Sequence, residues 1–178
     1  MGGRCRRIIM ELEAVIVELE RNRKVFNTTL TDMSQPLINW KNNPKDWSLL
    51  EIICHLVDEE KEDFRARINR AFQYPGKPLK PIDPAGWVKS RNYKEQDFEK
   101  KLQQFDKERQ ISIAWLKTTA DLNWDNSVLH PEYGAMPAHS FLYNWLAHDY
   151  HHIRQINGIK YHFLKKNSGD SLEYAGNW

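Results

Sequence analysis

Hydrophobic residues recur every three or four positions along most of the chain, which is the spacing of one face of an α-helix. The first stripe predicts a helix over about residues 5–30, and neither Gly nor Pro interrupts it. Its members are Ile9, Leu12, Ile16, Leu19 and Phe26. A connector that contains two prolines then covers residues 31–47.

A second helix begins at a capping box, in which Ser48 and Glu51 can satisfy each other's backbone N–H groups. Trp47 before the cap and Ile52 in the first turn fit a hydrophobic staple. We expect this helix to end near Phe72, because a loop with four prolines follows and prolines disfavour regular structure.

Two more helices are expected in the second half of the chain. Asn92, which is followed three residues later by an acidic residue, suggests the N-cap of a third helix that ends near Ala120. Residues 121–136 are expected to form a loop. Pro137 suits the first turn of a fourth helix that runs to about Leu164. The sequence shows no convincing β pattern, so the four helices predict an all-α four-helix bundle.

Length and composition narrow the class of protein. The chain has 178 residues, which predicts one domain, with the bundle over residues 1–165 and a polar C-terminal tail over 166–178. Hydrophobic residues make up 40% and charged residues 28%, which excludes a disordered or membrane protein. A net charge of +2 does not suggest a nucleic-acid binder. Cys5 and Cys54 make no disulfide framework, so we expect a reducing, cytoplasmic setting.

The candidate chemistry lies in the histidines. His148 and His152 are about 40° apart on a helical wheel and face the apolar side of the fourth helix. His55 lies at the edge of the apolar face of the second helix, whereas His139 lies about 180° from His148 and is a poor candidate for the same site. Buried imidazoles need hydrogen-bond partners or a metal ion, because an unpaired buried polar group costs about 1–3 kcal/mol. The pattern alone leaves both alternatives open.

Two carboxylates are candidate catalytic residues. Glu59 lies one turn after His55 and could act as a general base, although a solvated side chain at the helix edge is an equal alternative. Asp149 falls within the apolar arc of the fourth helix. It could orient a ligating His, or it could be a structural carboxylate bonded to a Tyr, Trp or Arg on another helix. We interpret Cys54 as a small buried residue and not as a nucleophile.

Two segments resemble the signatures of the DinB/YfiT-like superfamily. Residues 47–60 read WSLLEIICHLVDEE, and residues 145–156 read WLAHDYHHIRQI. The first resembles the family's Trp-Ser start followed by His-Leu, and the second its His-x-x-x-His followed by Gln-Ile. The resemblance implies an up-down-down-up bundle in which His55, His148 and His152 bind one metal ion.

The resemblance also implies an enzyme. Some relatives are thiol S-transferases that use a low-molecular-weight thiol as cosubstrate, and others look like metal-dependent hydrolases. Three neutral imidazoles leave a divalent ion with an open position and its full charge, which favours a bound thiolate or hydroxide. Zn is our first choice, and Ni, Fe or Mn also suit imidazole; the softness of a thiolate favours transfer over hydrolysis. A non-catalytic bundle that binds a metal or ligand is the alternative.

The expected partner is a small-molecule substrate, with neither nucleic acid nor membrane involved, and a homodimer is left open. The sequence differs from the family in its Pro-rich loop, residues 74–87, and in the aromatic approach to the fourth helix, from Trp124 to Phe141. We expect these two parts to line the substrate mouth. The resemblance therefore does not identify the substrate.

Overall fold

The computed structural model describes residues 4–176 and 178, with side chains from Leu12 onward. The start of the chain and the side chains of Cys5 and Ile9 lie outside this part. The helices are α1 (Arg4–Leu30), α2 (Gln35–Ile38), α3 (Leu49–Glu59), α4 (Arg65–Gln73), α5 (Pro84–Ser90), α6 (Phe98–Lys117) and α7 (Ala138–Ser168). A π-helical turn, Glu60–Phe64, joins α3 to α4, so that these three elements form one long helical segment.

The helix ends follow local chemistry. The predicted capping box is present: Glu51 N–H donates to Ser48 Oγ (3.3 Å), and Ser48 N–H donates to Glu51 Oε2 (2.9 Å). The expected cap at Asn92 is wrong, because Asn92 is left-handed (φ 49°) and its side chain caps nothing. Asp97 caps α6 instead, accepting from Lys100 N–H at 2.9 Å. α7 continues past Leu164 to Ser168, after which the chain turns at a left-handed glycine.

A small hairpin occupies the region that was expected to be a loop. Its strands are β1 (Ser127–His130) and β2 (Gly134–Pro137), which pair antiparallel with Ser127 opposite Pro137. Gly134 takes φ 69° in the turn, a conformation that glycine adopts without steric cost. The Pro-rich loop bonds to the same hairpin, since Leu79 N–H donates to Leu129 O at 2.9 Å. The hairpin leads directly into α7.

The contacts of α1 define the directions of two neighbouring helices. Contacts between α1 and α6 run in opposite chain order, and contacts between α1 and α7 run in the same order. The pairs are Phe26 with Phe105 and the Leu19 carbonyl with Arg109 on α6, and Asn22 with Asp149 and Thr29 with Lys160 on α7. α1 is therefore antiparallel to α6 and parallel to α7.

The α3–α4 segment packs against the same two helices. It meets α6 in the same chain order, through Glu60 with Arg109 and Arg65 with Ser112. It meets α7 in the opposite order, since the His55 ring contacts His152 while Phe64, further along, stacks on Trp145. The directions of the four long segments are thus up, down, down and up, as predicted.

The core contains the whole of α3, whose 11 residues are all buried. It continues along α7, where the buried positions recur at helical spacing and include Trp145 and His152. Near the C-terminus, the ring of Trp178 stacks on Tyr161 with 4.6 Å between centroids. Within the described part of the chain, none of the helices has the length and apolar character that crossing a membrane requires.

Candidate metal centre

Three imidazoles converge where α3 faces α7. The Nε2 atom of His148 lies 3.1 Å from Nε2 of His55 and 3.1 Å from Nε2 of His152. A tetrahedral ion with Zn–N bonds of about 2.0–2.1 Å holds its nitrogen ligands about 3.3 Å apart. The three nitrogens are therefore spaced as ligands of a single ion, and they form the metal-ligand group that the described residues offer.

The three rings are in the protonation state that metal binding needs. Burial, reinforced by neighbouring imidazoles, lowers the pKa of His55 to about 3 and that of His148 to about 2. Burial likewise lowers the pKa of His152 to about 4. All three side chains are therefore neutral near pH 7, and a neutral imidazole keeps a lone pair for a cation.

Gln155 fixes the orientation of one ring. The Nδ1–H of His152 donates to Gln155 Oε1 at 2.8 Å, which places the lone pair of this ring on Nε2, towards the other imidazoles. The ring of Trp47 lies parallel to the His152 ring and edge-on to the His55 ring, with centroids 6.3 and 4.7 Å away. Gln155 was assigned no role in the sequence analysis. Its position three residues after His152 on the same helix does, however, indicate that the two side chains can be in contact.

Glu59 lies behind His55. Its Oε1 is 3.9 Å from Nδ1 of His55, and both atoms are buried without a hydrogen-bond partner among the described residues. Burial, followed by the neighbouring Asp63, raises the pKa of Glu59 to about 9. Glu59 is only 4% exposed, so it is not the solvated side chain that the sequence also allowed. Its contact is with the His55 nitrogen that faces away from the cluster.

Asp149 faces the bundle core. Its two oxygens accept from Arg109 on α6 at 2.7 and 2.8 Å, and Asn22 on α1 donates to one of them at 3.2 Å. Arg109 also donates to Glu60 Oε1 at 2.8 Å. Among the described residues, no hydrogen bond joins Asp149 to an imidazole. The structure thus brings His55, His148, His152 and Glu59 together and places Asp149 in an adjacent buried network.

Other candidates lie away from the cluster. The Nδ1 atom of His139 lies 3.2 Å from the carbonyl oxygen of Trp124, outside the three-imidazole group. Burial raises the pKa of the Cys54 thiol to about 12, so this thiol stays protonated and is a poor nucleophile. The position of His139 agrees with its placement on the helical wheel, away from His148. The properties of Cys54 agree with its interpretation as a small buried residue.

Two cavities reach the imidazoles. One, of about 700 Å³, is lined by the three histidines together with Trp47, Gln155 and residues of the 42–47 loop. The other, of about 410 Å³, lies between His148, Glu59 and the β1–β2 hairpin. The aromatic segment that leads into α7, from Trp124 to Phe141, therefore contributes to the lining of a cavity at the site, as expected. No residue of the Pro-rich loop, residues 74–87, lines either of these two cavities, and Gly76, Lys77 and Leu79 of this loop bond to β1.

The fold and the site together define a class of protein: an up-down-down-up helical bundle with a candidate three-histidine metal centre. The family model of the DinB superfamily matches residues 18–156, and the chain belongs to that superfamily. A solved structure of YfiT from Bacillus subtilis, described as a probable metal-dependent hydrolase with an unusual four-helix bundle topology, is similar to it. That likeness has a TM-score of 0.76 at 18% identity and covers 90% of this chain and 89% of YfiT. No curated protein matches the sequence.

Replacing Gln155 with Ala is expected to weaken the affinity for Zn²⁺ about 10–100-fold, which is the usual cost of losing a partner behind a metal ligand. The physical reason is that Nδ1 of His152 loses its acceptor and the ring is no longer fixed. Competition with a chromogenic chelator measures the affinity. Gln103→Ala, at an exposed position of α6, is the matched control and should leave the affinity unchanged. Equal affinities for the wild type and Gln155→Ala would contradict the orienting role.

Proposed function

We propose that this protein is a metal-dependent enzyme that acts on a small molecule, with one divalent ion held by His55, His148 and His152. The observation that carries the proposal is the convergence of three neutral imidazoles at a cavity of about 700 Å³, where Nε2 of His148 lies 3.1 Å from Nε2 of each of the other two. When bound, the ion supplies Lewis acidity that lowers the pKa of a water or a thiol to near neutrality. Zn²⁺ is the first candidate, and Ni, Fe and Mn are alternatives that also suit imidazole.

The chain's own residues would position the ligands and shape the cavity. Gln155 holds the proton of His152 on Nδ1, so that Nε2 is free to bind. Glu59 Oε1 lies 3.9 Å from Nδ1 of His55, too far for a hydrogen bond, and a small approach would let it hold the proton of that ring as Gln155 does for His152. Its place behind the ring supports a positioning role more than a proton transfer with substrate. Trp47 covers one side of the two rings and limits their contact with water. Asp149 would act on the site only through the packing of α7 against α6.

Hydrolysis is the first candidate reaction and thiol transfer the second. Hydrolysis is supported by the description of the similarly folded YfiT as a probable metal-dependent hydrolase. Thiol transfer is supported by the donor set, because three neutral nitrogens leave the charge of the ion uncompensated and a soft thiolate binds Zn²⁺ well. In the first reaction water attacks the electrophilic carbon or phosphorus of the substrate, the bond from that atom to an alcohol or amine leaving group breaks, and the leaving group departs with the proton that water gives up. In the second a low-molecular-weight thiol attacks the electrophilic carbon instead, and its proton departs with the displaced group.

Two substrate panels separate these reactions. Metal-loaded protein is supplied with chromogenic esters, amides and phosphoesters in one panel, and with biological thiols plus a chromogenic electrophile in the other. We expect metal-dependent turnover in the first panel, lost in His148→Ala and kept in His139→Ala. Turnover in the second panel alone would favour thiol transfer. If neither panel reacts while one ion is bound per chain, the protein is a non-catalytic metal-binding bundle.

A further inference from the structure

A second pocket adjoins the metal centre on the far side of Trp47. It has a volume of about 520 Å³ and lies between the 41–47 loop, the start of α3, and α5 with the turn that follows it. Trp47 and Lys45 line both this pocket and the larger cavity at the imidazoles, so a molecule could extend from one into the other. Trp47 and Val88 give the second pocket apolar walls.

The lining of this pocket carries an excess of positive charge. It includes four lysines and two glutamates, which are Lys41, Lys45, Lys89, Lys94, Glu51 and Glu95. The local excess of +2 equals the formal net charge of the whole chain, which is +2 over 178 residues. The positive charge lies around a concave surface, which focuses the electrostatic field.

Among the residues that the structure describes, one of the four lysines has a carboxylate partner. The half-buried Lys41 lies 2.5 Å from Oε2 of the buried Glu51, and both residues line the pocket. The described part of the chain provides no ion pair for Lys45, Lys89 or Lys94, which are exposed at the rim. Lys89 lies in the last turn of α5, where a cation is favoured in any case, but Lys45 lies in a loop and has no such explanation. Like charges around one concave surface repel, and an anion placed among them would reduce that repulsion.

We propose that this pocket binds the anionic end, a carboxylate or a phosphate, of the substrate whose reacting group lies at the three imidazoles. The apolar body of such a molecule would lie across Trp47 and Val88, and its negative charge would lie among Lys45, Lys89 and Lys94. This inference rests on the proposed function and adds the chemical class of the substrate to it. It predicts that the enzyme prefers anionic over neutral substrates of the same length.

Hydroxamates, which chelate divalent ions, test this directly by calorimetry on Zn²⁺-loaded protein. The probes are the monohydroxamates of succinate, adipate and suberate, each compared with its neutral methyl ester. The corresponding phosphonates test whether the pocket prefers a phosphate-like anion to a carboxylate. At low salt, we expect at least one acid to bind about fivefold more tightly than its ester, which is what two exposed ion pairs supply. The advantage should shrink at high salt. A preference for the carboxylate or for the phosphonate series identifies the anion.

Charge reversal assigns the preference to the pocket. The double variant Lys89→Glu with Lys94→Glu should lose the advantage of the acids while keeping its metal content and its affinity for the esters. Lys80→Glu with Lys107→Glu, an equal change of charge at exposed positions outside the pocket, should keep the advantage. Acids and esters of equal affinity in the wild type, or equal effects of the two double variants, would overturn the proposal. If no hydroxamate binds the metal-loaded protein at all, the proposed function is wrong and this inference falls with it.

Discussion

His152→Ala is expected to abolish stoichiometric binding of a divalent ion, whereas His139→Ala is expected to leave it intact. His152 supplies one of three nitrogens at the cluster, with Nε2 3.1 Å from that of His148. The loss of metal affinity should exceed the about 100-fold that removal of a residue behind a ligand can cost, because here a direct ligand is removed. Equilibrium dialysis against Zn²⁺, followed by elemental analysis, measures the bound ion per chain.

His139 is a matched control because it is a histidine on the same helix. Its Nδ1 lies 3.2 Å from the Trp124 carbonyl, away from the cluster. Near-UV circular dichroism of both variants checks that the tertiary packing is retained. If the two variants lost the ion to the same extent, the assignment of ligands to the inner face of α7 would be wrong.

Arg109→Met is expected to destabilise the protein by about 3–5 kcal/mol, since it leaves two buried carboxylates without their cation. Arg109 is 1% exposed, and it binds Glu60 at 2.8 Å and Asp149 at 2.7 and 2.8 Å. These contacts join α6 to both the α3–α4 segment and α7. Urea denaturation of the metal-free protein measures the free energy of unfolding.

Two comparisons isolate the buried charge as the cause. Lys100→Met removes a partner of Asp97 on a side chain that is 82% exposed, and it should change the unfolding free energy by no more than about 0.5 kcal/mol. Adding Glu60→Gln and Asp149→Asn to Arg109→Met should recover part of the loss, because no unpaired charge then remains. A cost below about 1 kcal/mol for Arg109→Met alone would show that the network contributes little.

The long helices could be predicted because their signals are local, whereas their directions came from the resemblance to a known family. The capping box at Ser48 and Glu51 is a pattern of four residues, and it has the expected hydrogen bonds. The inward faces of α3 and α7 follow from helical spacing, which placed His55, His148 and His152 towards the bundle interior. That these three meet at one point depends on how α3 packs against α7, and the resemblance to a known family supplied that information.

The remaining features depend on partners that are distant in sequence. Strands of four residues, such as β1 and β2, are too short for an alternating pattern to stand out, and the bond between Leu79 and Leu129 links two separate loops. From the sequence alone, Arg109 cannot be distinguished from an ordinary charged residue of α6, because its partners Glu60 and Asp149 lie on other helical segments. The conformation of Asn92 is set by the turn that connects α5 to α6.

The complete burial of α3 limits how its sequence can vary. α1 and α6 have solvent-facing positions, at which most substitutions change stability by less than about 0.5 kcal/mol. None of the 11 positions of α3 faces solvent, so every substitution there must also fit its neighbours in size and polarity. The helix that carries His55 therefore has little mutational tolerance, and new sequence variation around the site can accumulate far more readily in the loops and the hairpin that border its cavities.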